Sequence, residues 1–345
     1  MINLLKRATL ILPAAAAVFC LLLLPGRGTA ADFPEKLAVS GDLSGITVQT
    51  VRESAPEVPF AAAPGAVEVS VAGSAGTLKV SFVDVGQGDA EYLELPDGKT
   101  VLIDGGPDKR EGGPSDSSHP ATDPPLAHFL LQKGIAKIDR VVLTHPHSDH
   151  YVGLRYVFSK LPVSEFYDTK ADNPGTGDDE VRAQAAAVPG IRVYYPKPGD
   201  YLDWGPDVQA RVLNSCPDAS VNPVKNINNC SIVIKLTYQN SSILFTGDMQ
   251  ADVEAQVVAK FGAELRSDVL KVGHHGSAGS SSDLFLNAVK PKLAFIEVGA
   301  NNSYGHPREV ALARLRAAGA RIYRTDLDGT QEYLPGNLAQ FLARP

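Results

Sequence analysis

One heptapeptide limits what this chain can be. Thr144–His150 reads THPHSDH and follows the apolar run Val141-Val142-Leu143. A buried strand therefore stops where imidazoles crowd, and a helix is expected after Asp149. His145 and His147 are two apart, and in extended backbone that spacing puts both rings on one side. Asp149 and His150 then project from the turn into the helix. Three imidazoles and a carboxylate this close together suit zinc in a tetrahedral or five-coordinate site. With 8 histidines in 345 residues, such a cluster should arise by accident on the order of 10⁻⁴ times per chain. A chance polar loop is set aside on that ground.

Two later segments could complete a metal site. Ser242–Asp248 (SILFTGD) is an apolar strand that delivers Asp248 at its end. Leu270–Ser277 (LKVGHHGS) is another strand, followed by His274 and His275. Alone, Asp248 reads as a turn residue and the paired histidines as moderately specific. Together with THPHSDH, they are what a site at the edge of a sheet requires.

The pattern around these segments predicts the architecture. Strands linked by hairpins come first, over Leu78–Val85, Ala90–Leu95 and Thr100–Ile103. Strands alternating with helices follow, including a helix over Tyr151–Phe158 and another over Ala251–Phe261. Early hairpins and later strand–helix alternation mean an α/β (α+β) sheet protein with its helices outside.

The N-terminus reads as an export signal. Lys6 and Arg7 precede an apolar run from Ala8 to Leu24, and small residues from Gly28 to Ala31 close it. That order describes a secretory signal peptide cut after Ala30 or Ala31. The alternative is an uncleaved anchor, since the run lies at the lower limit for spanning a bilayer. Residues 1–31 are thus assigned to the signal, 32–77 to a linker or lead-in, and 78–345 to the functional domain. Pro107–Pro125, with no apolar period, reads as a long surface loop. The signal holds three basic residues and no acid, so the net charge moves from −7 to −10 on its removal. Cys216 and Cys230 are the cysteines left, and in an oxidising compartment they are disulfide candidates. The competing idea is that Cys230 is a thiolate ligand.

The segments FVDVGQGDAEYLELPDGKTVLIDGG, LTHPHSDHYVGL, NNCSIVIKL, ILFTGD, LKVGHHGSAGSSS, VGANNSYGHP and YRTDLDG stand in this order from about Leu78 to Leu334. The chain so resembles the metallo-β-lactamase superfamily, and within it the C-terminal hydrolase domain of ComEC-type competence proteins. The resemblance implies an αββα sandwich with the metal site along one edge of two sheets. It implies one metal on His145, His147 and Asp248, and a second on Asp149, His150, Asp248 and one of the 274/275 pair. His275 is favoured, because a ligand histidine followed by Gly is the superfamily's usual pattern, and His274 would then face the substrate. Many members carry a further ligand histidine between these motifs. Here no histidine lies between His150 and His274, and the branch's Asn/Ser motif is matched by Asn228 and Ser231. A one-metal enzyme is the second reading, and manganese the alternative to zinc.

By the same resemblance Asp104 orients the metal loop, unless it is a plain turn aspartate. Asp84, Gln87 and Asp89 should lie close to the site. Asn302, Tyr304 and His306 are candidate phosphate or leaving-group contacts, though His306 could equally be a helix-start histidine before Pro307. His119 and His128 read as surface or packing residues.

The function expected is an exported metal-dependent hydrolase, a phosphodiesterase or nuclease. Two metals would clamp the attacking and leaving oxygens of an in-line displacement. Asp248 would bridge them, Asp149 would orient the nucleophile, and His274 and His306 would donate to a phosphoryl oxygen or to the leaving group. The alternatives are a lactonase or β-lactamase-like acyl hydrolase, and a non-catalytic DNA or cell-surface binding module. The acidic balance works against long polyanions, whose binding scales with the phosphates neutralised. A small phosphodiester therefore competes with single-stranded DNA as substrate. No transmembrane partner is implied. Lys225, Lys271, Arg308 and Arg324 are candidates for a local positive rim.

Overall fold

The computed structural model describes residues 76–109, 123–216 and 226–344, and the backbone of two strands nearer the N-terminus. The signal segment, His119, Lys225 and most of the Pro107–Pro125 loop lie outside the described residues. The chain divides into two compact units, residues 1–75 and 76–345. In the first, β1 (Glu35–Ser40) and β2 (Thr47–Arg52) pair antiparallel. Both fall in the stretch read as lead-in. Their sequences, EKLAVS and TVQTVR, alternate apolar with polar residues in part, as strands do.

The second unit holds two seven-stranded sheets. In one, β16 (Gln331–Tyr333), β3 (Lys79–Phe82), β4 (Glu91–Glu94) and β5 (Thr100–Ile103) pair antiparallel. β6 (Ile138–Val142), β7 (Val163–Tyr167) and β8 (Arg192–Tyr194) continue it in parallel. The other sheet runs antiparallel through β9 (Tyr201–Leu202), β10 (Val208–Asn214), β11 (Val233–Tyr238) and β12 (Ser241–Phe245). It turns parallel through β13 (Val269–Lys271), β14 (Leu293–Ile296) and β15 (Arg321–Arg324).

Side-chain alternation builds three apolar layers from these strands. Phe82, Leu93, Ile103, Val142, Ile234, Phe245 and Phe295 pack between the sheets. Their strand neighbours face outward. Tyr92, Leu102 and Val141 meet α1 (Pro125–Gln132), α3 (Leu154–Lys160) and α4 (Asp178–Ala187) through Leu130, Val157 and Val181. Leu244, Leu270 and Ala294 meet α5 (Ala251–Phe261), α6 (Asp283–Val289) and α7 (Glu309–Ala317) through Val257, Phe285 and Leu315. This is the αββα sandwich that the resemblance implies.

The parallel halves matter for function. β5, β6, β12, β13 and β14 all bring their C-terminal ends to one edge, where apolar runs stop and polar loops begin. The helix expected over Tyr151–Phe158 is broken in two: α2 (Ser148–Tyr151) and α3 are separated at Gly153. Gly153 N–H donates to Gly106 O at 2.9 Å and Gly105 N–H to His150 O at 2.7 Å. A Cβ at Gly153 would lie 1.9 Å from Gly105 O, so only glycine permits this approach. The THPHSDH loop is thereby seated on the loop after β5. Among the described residues no helix is long and apolar enough to cross a membrane.

Candidate metal centre

Each strand end delivers a group to one point. β12 leads through Thr246 and Gly247 to Asp248, which is buried. Around its Oδ2 stand His150 Nε2 at 3.4 Å, His275 Nε2 at 3.6 Å, and the Nε2 atoms of His145 and His274 at 3.7 Å each. His145 Nε2 and His147 Nδ1 are 3.0 Å apart. Asp149 lies 3.2 Å from His275 Nε2 and 3.9 Å from His150 Nε2. His145, His147 and Asp248 converge as one group, and Asp149, His150 and His275 as another.

Hydrogen bonds behind the rings fix which nitrogen faces the centre. Asp104 Oδ2 stands 2.8 Å from His150 Nδ1 and also accepts from Thr144 Oγ1–H at 2.6 Å. Thr144 Oγ1 is left to accept from His145 Nδ1–H at 3.1 Å. His275 Nδ1–H donates to Glu297 O at 2.9 Å, with Asp89 Oδ1 at 3.1 Å. In all three rings Nε2 is then the nitrogen turned to the centre, the arrangement that carboxylate-backed metal histidines adopt. Ser231 Oγ donates to Asn228 O at 2.7 Å and accepts from Asp248 N–H at 2.9 Å, which ties the carboxylate's backbone in place. Asn228 is buried beside it.

These donors fit divalent cations. Among the described residues nothing hydrogen-bonds the buried Asp248 Oδ1, which is costly unless a charge meets it. The ionisation of the rings says the same. Burial, and then the neighbouring His150, hold His145 well below its ordinary value, and His147 is lowered by the same causes. Burial works against charge at His275 too, but Asp248 and Asp89 push it up to about 10. His150 is raised in the same way by Asp248 and Asp104 against its burial. Burial opposes ionisation of Asp248, yet His275 and His150 hold it well below the usual carboxylate range. Positive charge is thus favoured at the point the carboxylates enclose, whether a proton or a metal brings it.

A second polar layer lies beneath. Lys271, on β13, is fully buried and ion-paired with Asp89, beside Glu91 and Glu297. Burial and the nearby Asp89 raise Glu297 to about 8. Lys271 therefore does not belong to a surface rim, and that expectation is corrected: its side chain points inward, where carboxylates outnumber it. Arg324 is paired with Asp326. Arg308 donates to Tyr304 O at 2.6 Å.

Above the centre is a cleft of about 320 Å³, lined by Gln87, His147, Asp149, Asn173, Thr176, Asp248, His274, His275, Tyr304 and His306. Among the described residues, no lysine or arginine lines it. His274 and His306 have ring centroids 5.4 Å apart, and Tyr304 stacks on His306 at 5.8 Å. Burial, then His275, lower His306 to about 4, so its ring is neutral at pH 7. Asn302 lies behind this wall. Its amide donates to Gly299 O and His306 O and accepts from His306 N–H, so it holds the loop that carries His306. Asp84 accepts from Gly86 N–H at 3.3 Å in the turn before Gln87. Cys216 and Cys230 are joined in a disulfide, Cα to Cα 4.6 Å. The sulfur of Cys230 is thus bound to sulfur, which leaves it no thiolate. His128 is half-buried on α1.

Comparison with known proteins fits this geometry. The profile of the metallo-β-lactamase superfamily matches residues 83–296, which include every group converging on Asp248. The chain belongs to the metallo-β-lactamase superfamily. ComE operon protein 3 of Bacillus subtilis (strain 168) is 34% identical over 260 residues, 74% of this chain and 33% of that protein. Competence protein ComA of Neisseria gonorrhoeae is 33% identical over 59% of this chain and 26% of its own length. Both fit the ComEC-type resemblance seen in the motifs. The chain spans about a third or less of the length of these relatives. Among solved structures, Tm1679, a metal-dependent hydrolase of the β-lactamase superfamily, aligns over 74% of this chain and 98% of its own, at 14% identity and a TM-score of 0.47.

Proteins of this superfamily are read through their histidines, and several polar groups here escaped that reading. Glu297 ends the apolar run Leu293–Ile296, and an acid at such a place signals a buried carboxylate. Asn173 donates to Pro146 O at 2.9 Å and lines the cleft with no motif to announce it. No motif singles out Gln250 or Asn226, which lie just before α5 and the 3₁₀ turn Ile227–Cys230.

Proposed function

We propose that this chain is an exported, zinc-dependent hydrolase of phosphodiesters. The observation that carries the reading is the set of nitrogens around Asp248 Oδ2, at 3.4–3.7 Å, beneath an open cleft. His145, His147 and Asp248 would hold one ion. Asp149, His150, His275 and Asp248 would hold the second. When bound, such ions lower the pKa of water and polarise a phosphoryl oxygen.

The chain's own residues supply the rest. Asp104 and Asp89 keep the rings of His150 and His275 turned to the centre. Asp149 sits at the cleft floor, where it can orient an attacking water. His274 and His306 present neutral rings on one wall, so each contributes a hydrogen bond from N–H rather than an imidazolium proton. Tyr304, which is 55% exposed, offers a flat face at the mouth for a planar leaving group. With no lysine or arginine among the described residues of the lining, a monoanionic diester is better matched than a dianionic phosphomonoester. The relatives named for competence are in keeping with a nucleic-acid phosphodiester, and a small diester fits the acidic balance. The disulfide accords with an oxidising compartment outside the cytoplasm.

A screen of zinc-loaded protein on bis(p-nitrophenyl) phosphate, single-stranded DNA, nitrocefin and a lactone tests this. Turnover of a phosphodiester, abolished by Asp248→Ala, is the expected result. Turnover of nitrocefin or the lactone alone would replace the reading with an acyl hydrolase, and turnover of none with a binding module.

A further inference from the structure

His274 stands next to a ligand candidate, and its Nε2 is as close to Asp248 as that of His145. Distance does not say whether this ring coordinates or donates. A chain of hydrogen bonds does. Asn228 N–H is a backbone donor, and the atom it meets at 3.2 Å must be the carbonyl oxygen of the Asn226 side chain. The Asn226 amide is thereby oriented, and its NH₂ donates to Gln250 Oε1 at 2.8 Å. Gln250 in turn must present its NH₂ to His274 Nδ1, at 3.2 Å. A ring nitrogen that accepts a hydrogen bond carries no proton, so in the neutral ring the proton sits on Nε2.

The anchor of this chain is held from several sides. Asn229 Oδ1 accepts from Gln250 N–H at 3.2 Å, and its amide donates to both oxygens of Asp252. Asn214 donates to the carbonyls of Asn229 and Ser231. Cys230, two residues beyond Asn228, is closed to Cys216. At the other end, His274 and His275 both have positive φ, 49° and 51°. Non-glycine residues hold that conformation only where surroundings impose it. It turns successive rings to different partners: His275 to Glu297 O and the centre, His274 to Gln250 and the cleft.

We propose that Asn226 and Gln250 are positioning residues that hold His274 as an Nε2–H donor facing the cleft, so that it binds a phosphoryl oxygen of the substrate and stays out of the metal's coordination shell. The substrate half rests on the phosphodiester reading; the tautomer half does not. Gln250→Glu keeps size and shape but replaces the donor with an acceptor. His274 should then turn its proton to Nδ1 and lose its donor in the cleft.

The test is ¹⁵N-histidine NMR on zinc-loaded protein, with His274→Gln used to assign the signal. In the wild type His274 should show a protonated Nε2 and a bare Nδ1, and in Gln250→Glu the reverse. Zinc content should be unchanged. Turnover of bis(p-nitrophenyl) phosphate should fall on the order of 10²-fold in kcat, as when one donor to a developing oxyanion is lost, with little change in KM. Should Gln250→Glu fold poorly, Asn226→Asp, whose carboxylate can only accept, is expected to flip the Gln250 amide and likewise move the His274 proton to Nδ1. A wild-type His274 with an unprotonated Nε2, or a tautomer that ignores these substitutions, overturns the proposal. The expected tautomers with no diester turned over would uphold the relay and discard only the phosphodiester reading.

Discussion

At the scale of single residues, buried charge decides most of what the site can do. Lys271 lies beside Asp89, Glu91 and Glu297, all of them buried. Removing one partner of a buried ion pair leaves an uncompensated charge, which costs about 3–5 kcal/mol. Lys271→Met should lower the unfolding free energy extrapolated from urea titration by that much, and Asp89→Asn in the same chain should restore part of it. A loss below about 1 kcal/mol would show that the layer carries little of the stability. The sequence made the candidate ligands legible, because each sits where an apolar strand stops. It hid Lys271, because a charge inside a strand can be seen as buried only once its partners, far along the chain, are in place. For the same reason the sequence does not announce Gln250: its role comes from Asn226 and His274, each 24 positions away.

At the scale of elements, the loop from Cys216 to Cys230 joins β10 to the 3₁₀ turn that carries Asn228. Closing about 15 residues stabilises by roughly 3 kcal/mol. Reduction should therefore lower the melting temperature. It should also lower activity, because the same turn bears Asn228, ends at Ser231 and is entered from Asn226. Thiol counting on unfolded, unreduced protein should find none of these sulfurs free. Melting and activity that ignore reductant would separate the loop from the site. The order of strands and helices was readable from their periodicities, and the break at Gly153 was not. It reflects the close approach of two backbones, which leaves no mark on hydrophobic period.

For the whole molecule, the centre ties stability to pH. In metal-free protein His275 is raised from 6.5 to about 10 and Glu297 from 4.5 to about 8. Both bind their protons more tightly folded than unfolded. Their contribution is complete below the unfolded values and is lost as pH rises through 8 and then 10. Asp149 and Asp248, held low, add stability that is already complete above about pH 4. Chelated protein should melt at steadily lower temperature between pH 6.5 and 10 in calorimetry. Zinc-loaded protein should lose less, because metal replaces the proton on His275 and binds more tightly as pH rises. A flat or rising profile for chelated protein would contradict the charge distribution described here.

The central claim is that the groups converging on Asp248 hold metal. Elemental analysis of purified protein, beside the His145→Ala/His147→Ala double variant, tests it most directly. The wild type should carry one to two zinc or manganese ions per chain, and the double variant should carry fewer, with its circular dichroism unchanged. Undiminished metal in the double variant would contradict the assignment.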